Sequence, residues 1–372
     1  MAGRPPCLSG ITRRMSREPR RAQARQTVEI LESGRYRAPS GRTVDLTAAL
    51  RASIAGTVLH RPDELTALLN SLPPVLDDVE RTRIEVTTET TLAAARRLAE
   101  DRRPDATTSP APGTSAGPGT SAAPGTSAAP GTSAGAGTGA GAGTGAGGCP
   151  GAGGRPGAGG CPGADDHTDS DGRAGIDTRS LEPLALNFAS AKNPGGGFLN
   201  GAHAQEEGLA RASGLYASLR AAREYYEVHR ELRDPLYTDH MIYSPAVPVF
   251  RTDSGALLDE PYSVAFLTSS APNRGATHEE HKLARLPDVL RQRALKVLAA
   301  AAFHGHRRIV LGAWGCGVFR NDPNEVAEAF ADALRPDGGP FARHFETVVF
   351  AVYDTAPGSP RLAPFKRAFQ QF

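Results

Sequence analysis

The stretch Asn187-Phe-Ala-Ser-Ala-Lys-Asn-Pro-Gly-Gly-Gly-Phe-Leu-Asn-Gly-Ala-His-Ala-Gln-Glu-Glu207 decides the reading of this chain. An apolar strand, 184–188, runs into Gly195, Gly196 and Gly197, and seven residues further on Gln205-Glu206-Glu207 opens a helical pattern. Glycines let a backbone turn sharply and bring its N–H groups close to phosphate oxygens. A carboxylate pair just beyond can do acid or base chemistry. Together they predict a site for a nucleotide diphosphate joined to a sugar. A Gly triplet alone is an ordinary turn, and adjacent glutamates alone merely complement a helix dipole. The combination carries the functional reading. Walker A and G-x-G-x-x-G are both excluded by the spacing.

A second unit has the same form. In Ile309-Val-Leu-Gly-Ala-Trp-Gly-Cys-Gly-Val-Phe319 a buried strand again ends in glycines, Gly315 and Gly317. Two such loops can close on one diphosphate from both sides, with Phe319 beside the sugar. Cys316 lacks an evident His partner and is not read as a nucleophile. His278 and His281 stand at i and i+3, off the HExxH spacing, and read as a solvated loop rather than a metal site. No metal or cofactor is expected.

Around these loops strands and helices alternate. Strands are expected at 83–86, 184–188, 241–250, 262–268, 308–312 and 348–353. Helices are expected at 18–32, 90–100, 205–226, 286–303 and 325–334, with one or two more in 45–72 and Pro62 opening one. Gly34 should stop the first. This order predicts an α/β fold with a sheet covered on both faces. Ligands of such sheets bind beyond the carboxyl ends of the strands.

Composition divides the chain further. Of 372 residues, those from 104 to 178 are nearly all Gly, Ala, Pro, Thr and Ser, with Ala-Pro-Gly-Thr-Ser-Ala recurring. Such a segment has too little apolar surface to offset its ordering entropy and reads as a disordered insert. A collagen reading fails for want of a strict Gly-X-Y period. The insert joins a helix C-terminus to a strand N-terminus, so it should leave from the edge opposite the site. Residues 1–14 read as disordered, with Met15 a candidate start. Residues 15–78 read as a helical extension packed on the core, 79–103 plus 179–357 as the catalytic domain, and 358–372 as a C-terminal tail.

A net charge of +2 argues against bulk or sequence-specific nucleic-acid binding. Arg13, Arg14, Arg17, Arg20, Arg21 and Arg25 read as a solvated tail and helix face. Cys7, Cys149, Cys161 and Cys316 form no disulfide framework, and no signal peptide or membrane span is evident, which points to the cytoplasm.

At the two loops the chain resembles the poly(ADP-ribose) glycohydrolases, specifically the compact bacterial type built on a macrodomain. The family signature, three glycines, a short spacer and Gln-Glu-Glu, is matched by 195–197 and 205–207. The Trp-Gly-Cys-Gly-Val-Phe run matches its second phosphate loop. The resemblance covers roughly 15–103 and 179–357 and implies a macrodomain-like mixed sheet. It implies Glu207 as catalytic acid and Glu206 as holder of a ribose hydroxyl. Gly195, Gly196, Gly197, Gln205, Gly315, Cys316, Gly317 and Val318 would bind substrate around the diphosphate. Phe319 would orient the ribose under attack, and Asn187 and Asn193 are further candidates for ribose contacts. The expected substrate is poly(ADP-ribose) or an ADP-ribosylated macromolecule, with ADP-ribose as product. Two alternatives stay open: removal of single ADP-ribose units, and a non-catalytic ADP-ribose reader.

Overall fold

The computed structural model describes residues 17–101 and 182–370. The expectations for 1–14, for Met15 and for the insert lie outside the described residues.

Helix α1 (Arg17–Ser33) buries Ala24, Thr27 and Ile30 on one face. Gly34 ends it at φ +70°, its N–H donating to Ile30 O. A short hairpin, β1 (Arg35–Arg37) and β2 (Thr43–Asp45), follows, then α2 (Thr47–Ala55), β3 (Val58–His60) and α3 (Pro62–Asn70). Strand β4 (Arg83–Thr87) leads to α4 (Thr91–Glu100), whose N-cap hydroxyl, Thr90, accepts from Ala93 N–H. After the undescribed stretch come β5 (Leu184–Phe188), α5 (Gln205–Ala212), α6 (Leu215–Ala221) and α7 (Arg223–Leu232). The chain closes through β6 (Met241–Arg251), β7 (Leu257–Ser269), α8 (Glu280–Leu283), α9 (Leu286–Phe303), β8 (Arg308–Leu311), α10 (Pro323–Leu334), β9 (Thr347–Ala351) and α11 (Leu362–Ala368).

Seven strands form the main sheet in the order β3-β6-β7-β5-β8-β9-β4. The β3/β6 and β6/β7 pairs are antiparallel, and the rest are parallel, so the sheet is mixed. The central strands are buried on both faces and therefore read as continuous apolar runs. Their side chains still alternate. Leu184, Leu186, Ile309, Leu311, Val348 and Phe350 face the core beneath α3, α9, α10 and α11. Ala185, Val310 and Val349 face the other core, beneath α4, α5, α6 and α7. Both faces are covered, as expected.

Four features depart from the sequence reading. The expected 205–226 helix is three helices, because Ser213 is extended (φ −144°, ψ 177°) and bridges to Val249. The N-terminal extension packs on the core, with Leu65 of α3 wholly buried, but it is not all helical: β3 is an edge strand of the main sheet. The C-terminal stretch is not a tail, since α11 buries Phe365, and Phe369 stacks on Phe350 with ring centroids 4.2 Å apart. Strand β7 is longer than expected at its start, where it pairs with β6 around a register shift between Val249 and Arg251. Among the described residues no helix is long and apolar enough to cross a membrane.

Candidate active site

Parallel β5 and β8 end side by side, and the two glycine-bearing loops leave from their carboxyl ends. Gly195 and Gly196 have φ +67° and +59°, a left-handed pair that folds the first loop back over α5. Phe198 lies wholly buried beneath it, its ring edge-on to Tyr216 at 4.7 Å. The loop then crosses to Gln205 at the first turn of α5.

Glu206 and Glu207 diverge as neighbours on a helix must, yet both carboxylates press against Gly196. A Cβ there would lie 2.5 Å from Glu207 Oε1 and 2.9 Å from Glu206 Oε2. Glu207 is half-buried, accepting from Gly197 N–H (3.0 Å) and Ala204 N–H (2.8 Å). Glu206 is only 3 % exposed and accepts from Ser190 N–H at 2.7 Å. Burial pushes its carboxyl up to about 8, the charge of Glu207 adds to that rise, and the Ser190 N–H offsets part of it. Glu206 Oε1 and Asn187 Oδ1 are buried without hydrogen-bond partners among the described residues. A proton on Glu206 supplies the donor this group lacks.

The triplet was expected to offer its N–H groups to a diphosphate. Instead, two of them are turned on the protein. Gly196 N–H donates to Asn193 O and Gly197 N–H to Glu207, and the backbone of Gly195 faces Glu206. The first loop therefore aims the carboxylates. Open N–H groups belong to the second loop. Gly315, Gly317, Val318 and Phe319 donate their N–H to no described residue, while Cys316 N–H is spent on Ala313 O. Gly315 (φ +72°) is required, since a Cβ would meet Asn321 Nδ2 at 2.4 Å and Ala271 Cβ at 2.6 Å. Gly317 faces open space and Val318 is 79 % exposed. Burial raises the Cys316 thiol to about 12, which removes it as a nucleophile.

The other expected residues divide. Gln205 spends its amide on the frame: Phe188 N–H donates to Oε1, and Nε2 donates to Leu186 O and Thr91 Oγ1. It pins α5 to the end of β5. Asn187 is wholly buried, its Nδ2 donating to Thr268 Oγ1, whereas Asn193 is exposed on the loop. Phe319 is half-buried against Tyr237, ring centroids 5.9 Å apart. Arg293, buried in α9, fixes that neighbour by donating to Leu236 O, Tyr237 O and Ser270 O. Trp314 Nε1–H ties the second loop to Ser269 O at 3.0 Å. Among the described residues no cluster of three or more His, Cys, Asp or Glu could hold a metal, and His278 and His281 make no such group.

Sequence reasoning missed the clamp on the first loop. Arg17 Nε and Arg21 Nε donate to Asn200 O, and Arg20 Nε donates to Gly201 O at 2.8 Å. Arg211, in α5, donates to Ala202 O at 2.7 Å. The signal was the i, i+3 and i+4 spacing of the α1 arginines, which sets them on one face.

Comparison with known proteins accords with this geometry. The family described as "Microbial-type PARG, catalytic domain" matches residues 24–114 and 167–252. A crystal structure of poly(ADP-ribose) glycohydrolase from Thermomonospora curvata is 49 % identical, covering 95 % of this chain and 100 % of that one, with a TM-score of 0.70. The same enzyme bound to the inhibitor ADP-HPD is 48 % identical over the same shares, with a TM-score of 0.68. A Deinococcus radiodurans poly(ADP-ribose) glycohydrolase in complex with ADP-ribose is 36 % identical, covering 88 % of this chain and 98 % of that one, with a TM-score of 0.61. A comparison with functionally curated proteins gave no match. Fold and site define a macrodomain-like α/β protein with a paired-carboxylate cleft. The chain belongs to the microbial-type PARG family.

Proposed function

We propose that this chain hydrolyses the ribose–ribose O-glycosidic bond of poly(ADP-ribose) and releases the terminal ADP-ribose unit, with Glu207 as general acid and then base. The observation that carries the reading is the pair of carboxylates against Gly196, on a loop that leaves from the strand beside the one bearing the loop of open N–H groups. The relatives with ADP-HPD and ADP-ribose bound support the same ligand class.

The N–H groups of Gly315, Gly317, Val318 and Phe319 take the diphosphate, and Gly317, without a side chain, lets it approach closely. The first loop contributes by aim and by close approach. Of the two carboxylates only Glu207 is exposed enough to reach a leaving oxygen. The negative charge of the bound diphosphate favours a proton on Glu207 in the substrate complex, and that proton passes to the leaving oxygen as the glycosidic C–O bond breaks, so no alkoxide is expelled, a gain of about 10²–10⁴. The oxocarbenium-like sugar is stabilised by the nearby diphosphate charge. Glu207, now ionised, takes a proton from water as the water oxygen adds to the anomeric carbon. Glu206, protonated and buried, holds a ribose hydroxyl. Gln205 is a positioning residue, and Phe319 fixes the ribose for attack. Asn187 and Asn193 are assigned to the ribose end of the cleft. We place the enzyme in the cytoplasm on its scattered cysteines, with ADP-ribosylated macromolecules as partners.

Glu207→Gln should abolish turnover while ADP-ribose affinity stays within about tenfold, roughly 1.4 kcal/mol. Product analysis on polymer and on mono-ADP-ribosylated protein, beside calorimetry with ADP-ribose, tests both halves. An active Gln variant would sink the acid assignment, and activity on the mono-linked substrate alone would move the enzyme to the other bond.

A further inference from the structure

Beside the first glycine loop, away from the second, lies a cavity of about 220 Å³ that the reaction as described does not use. Pro194, Tyr216, Arg220, Arg223, Tyr226 and Arg230 line it. The three arginines make no ion pair with a described carboxylate. Glu227 also lines the cavity, so the wall keeps an excess of positive charge. Tyr226 is 2 % exposed, yet its hydroxyl is buried with no partner among the described residues. A buried hydroxyl left unpaired in an apolar setting is costly unless a ligand completes it.

The cavity is fastened to the catalytic loop on both sides. Arg230 Nη1 donates to Lys192 O at 2.8 Å, just before the triplet, and the Tyr216 ring packs on Phe198, just after it. Tyr226 lies within electrostatic reach of Glu206. No residue of 312–320 contributes to the lining. The cavity thus borders the carboxylate end of the cleft, where the glycosidic bond breaks, and not the loop with the open N–H groups.

In poly(ADP-ribose) the leaving group is the adenosine ribose of the preceding unit, which carries a purine and a diphosphate. Arginine guanidinium groups suit phosphate oxygens, and tyrosine faces suit a purine. We infer that this arginine–tyrosine cavity is a subsite for the adenosine diphosphate portion of the penultimate polymer unit, on the leaving-group side of the scissile bond. The inference rests on the proposed hydrolysis of polymer. It means that the enzyme recognises chain, and not only the terminal ADP-ribose, and that this recognition weakens with salt.

The test uses Arg220→Ala/Arg223→Ala in the full chain, both side chains being exposed, with Tyr226→Phe as a second variant that removes only the hydroxyl. Steady-state kinetics on long polymer and calorimetry with ADP-ribose are run side by side. The arginine variant should raise the polymer KM about tenfold or more and flatten its salt dependence. Tyr226→Phe should raise KM by a smaller factor. ADP-ribose, which has no preceding unit, should bind both variants within twofold of wild type. A parallel loss of ADP-ribose affinity would assign the cavity to the terminal unit, and an unchanged polymer KM in both variants would empty it of any role. Either result overturns the subsite alone. A wild-type protein that releases no ADP-ribose from polymer overturns the proposed function and the subsite together.

Discussion

Glu206 and Glu207 are chemically identical and adjacent, and the fold separates them by burial. Glu206 holds its proton up to about pH 8 in the folded chain, whereas an unfolded glutamate ionises near 4.5. Between those values the folded state binds more protons than the unfolded state. The stability contributed by neutral Glu206 is therefore complete below pH 4.5 and is lost as pH rises towards 8. The slope approaches ~1.4 kcal/mol per pH unit, and the whole effect is on the order of a few kcal/mol. His229, pushed down to about 4 by burial, acts in the opposite sense at lower pH, so wild type must be compared with a variant and not read alone. Glu206→Gln has no proton to lose. Its stability relative to wild type should rise steadily from pH 5 to pH 8.5 in denaturant melts, and parallel curves would refute the buried neutral carboxyl. The Gln-Glu-Glu spacing was legible in the sequence. That the triplet's N–H groups would aim these carboxylates was not, because it depends on the left-handed torsions of Gly195 and Gly196.

Helix α1 grips the first glycine loop from outside the glycine signature. Three guanidinium groups cap carbonyls of Asn200 and Gly201, and the helix comes so close that a Cβ on Gly201 would meet Arg17 O at 2.5 Å. The loop between Gly197 and Glu207 is therefore held at its far end as well as at its glycines. Arg20→Ala should lower kcat by about tenfold or more, since small misplacements of a catalytic group can cost ~10²-fold. The melting temperature should fall by only a few degrees, because the bond to Gly201 O is only part-buried. Arg20→Lys should not restore the rate, as the bond is made by Nε of a planar fork. Full activity in Arg20→Ala would show that the loop needs no clamp. A basic stretch on a helix reads equally as a solvated face, so only the tertiary partner reveals this role. Long apolar elements such as α9 and β9 were legible for the opposite reason: burial on regular periods writes itself into composition. The three-residue strands β1, β2 and β3 are too short to carry a period. The break at Ser213 was announced only by the Ser-Gly pair that follows Ala212.

Within the described residues, the two chain ends that flank the low-complexity segment and the second glycine loop lie at opposite ends of β8. Asp101 and Glu182, the described residues flanking that segment, both dock at the start of β8. Arg308 Nη1 donates to Asp101 O at 2.8 Å, and His306 Nδ1 donates to Glu182 O at 3.0 Å. The second glycine loop leaves from the other end of β8, after Leu311. The family match also skips 115–166 while continuing on both sides. Deleting 104–177 and joining Arg103 to Thr178 through a short Gly-Ser linker should thus preserve fold and hydrolysis. The anchors for the linker sit two positions apart along the chain, at 306 and 308, so a short bridge spans them. Loop-closure entropy grows by only ~0.6 kcal/mol per doubling of length, so a cut of about three doublings stabilises by roughly 2 kcal/mol at most. A thermal melt should show a small rise, and kcat/KM on polymer should stay within about twofold of wild type. A large fall in kcat/KM in a variant that melts normally would mean that the segment reaches the substrate from the far end of the sheet, against the placement of its anchors.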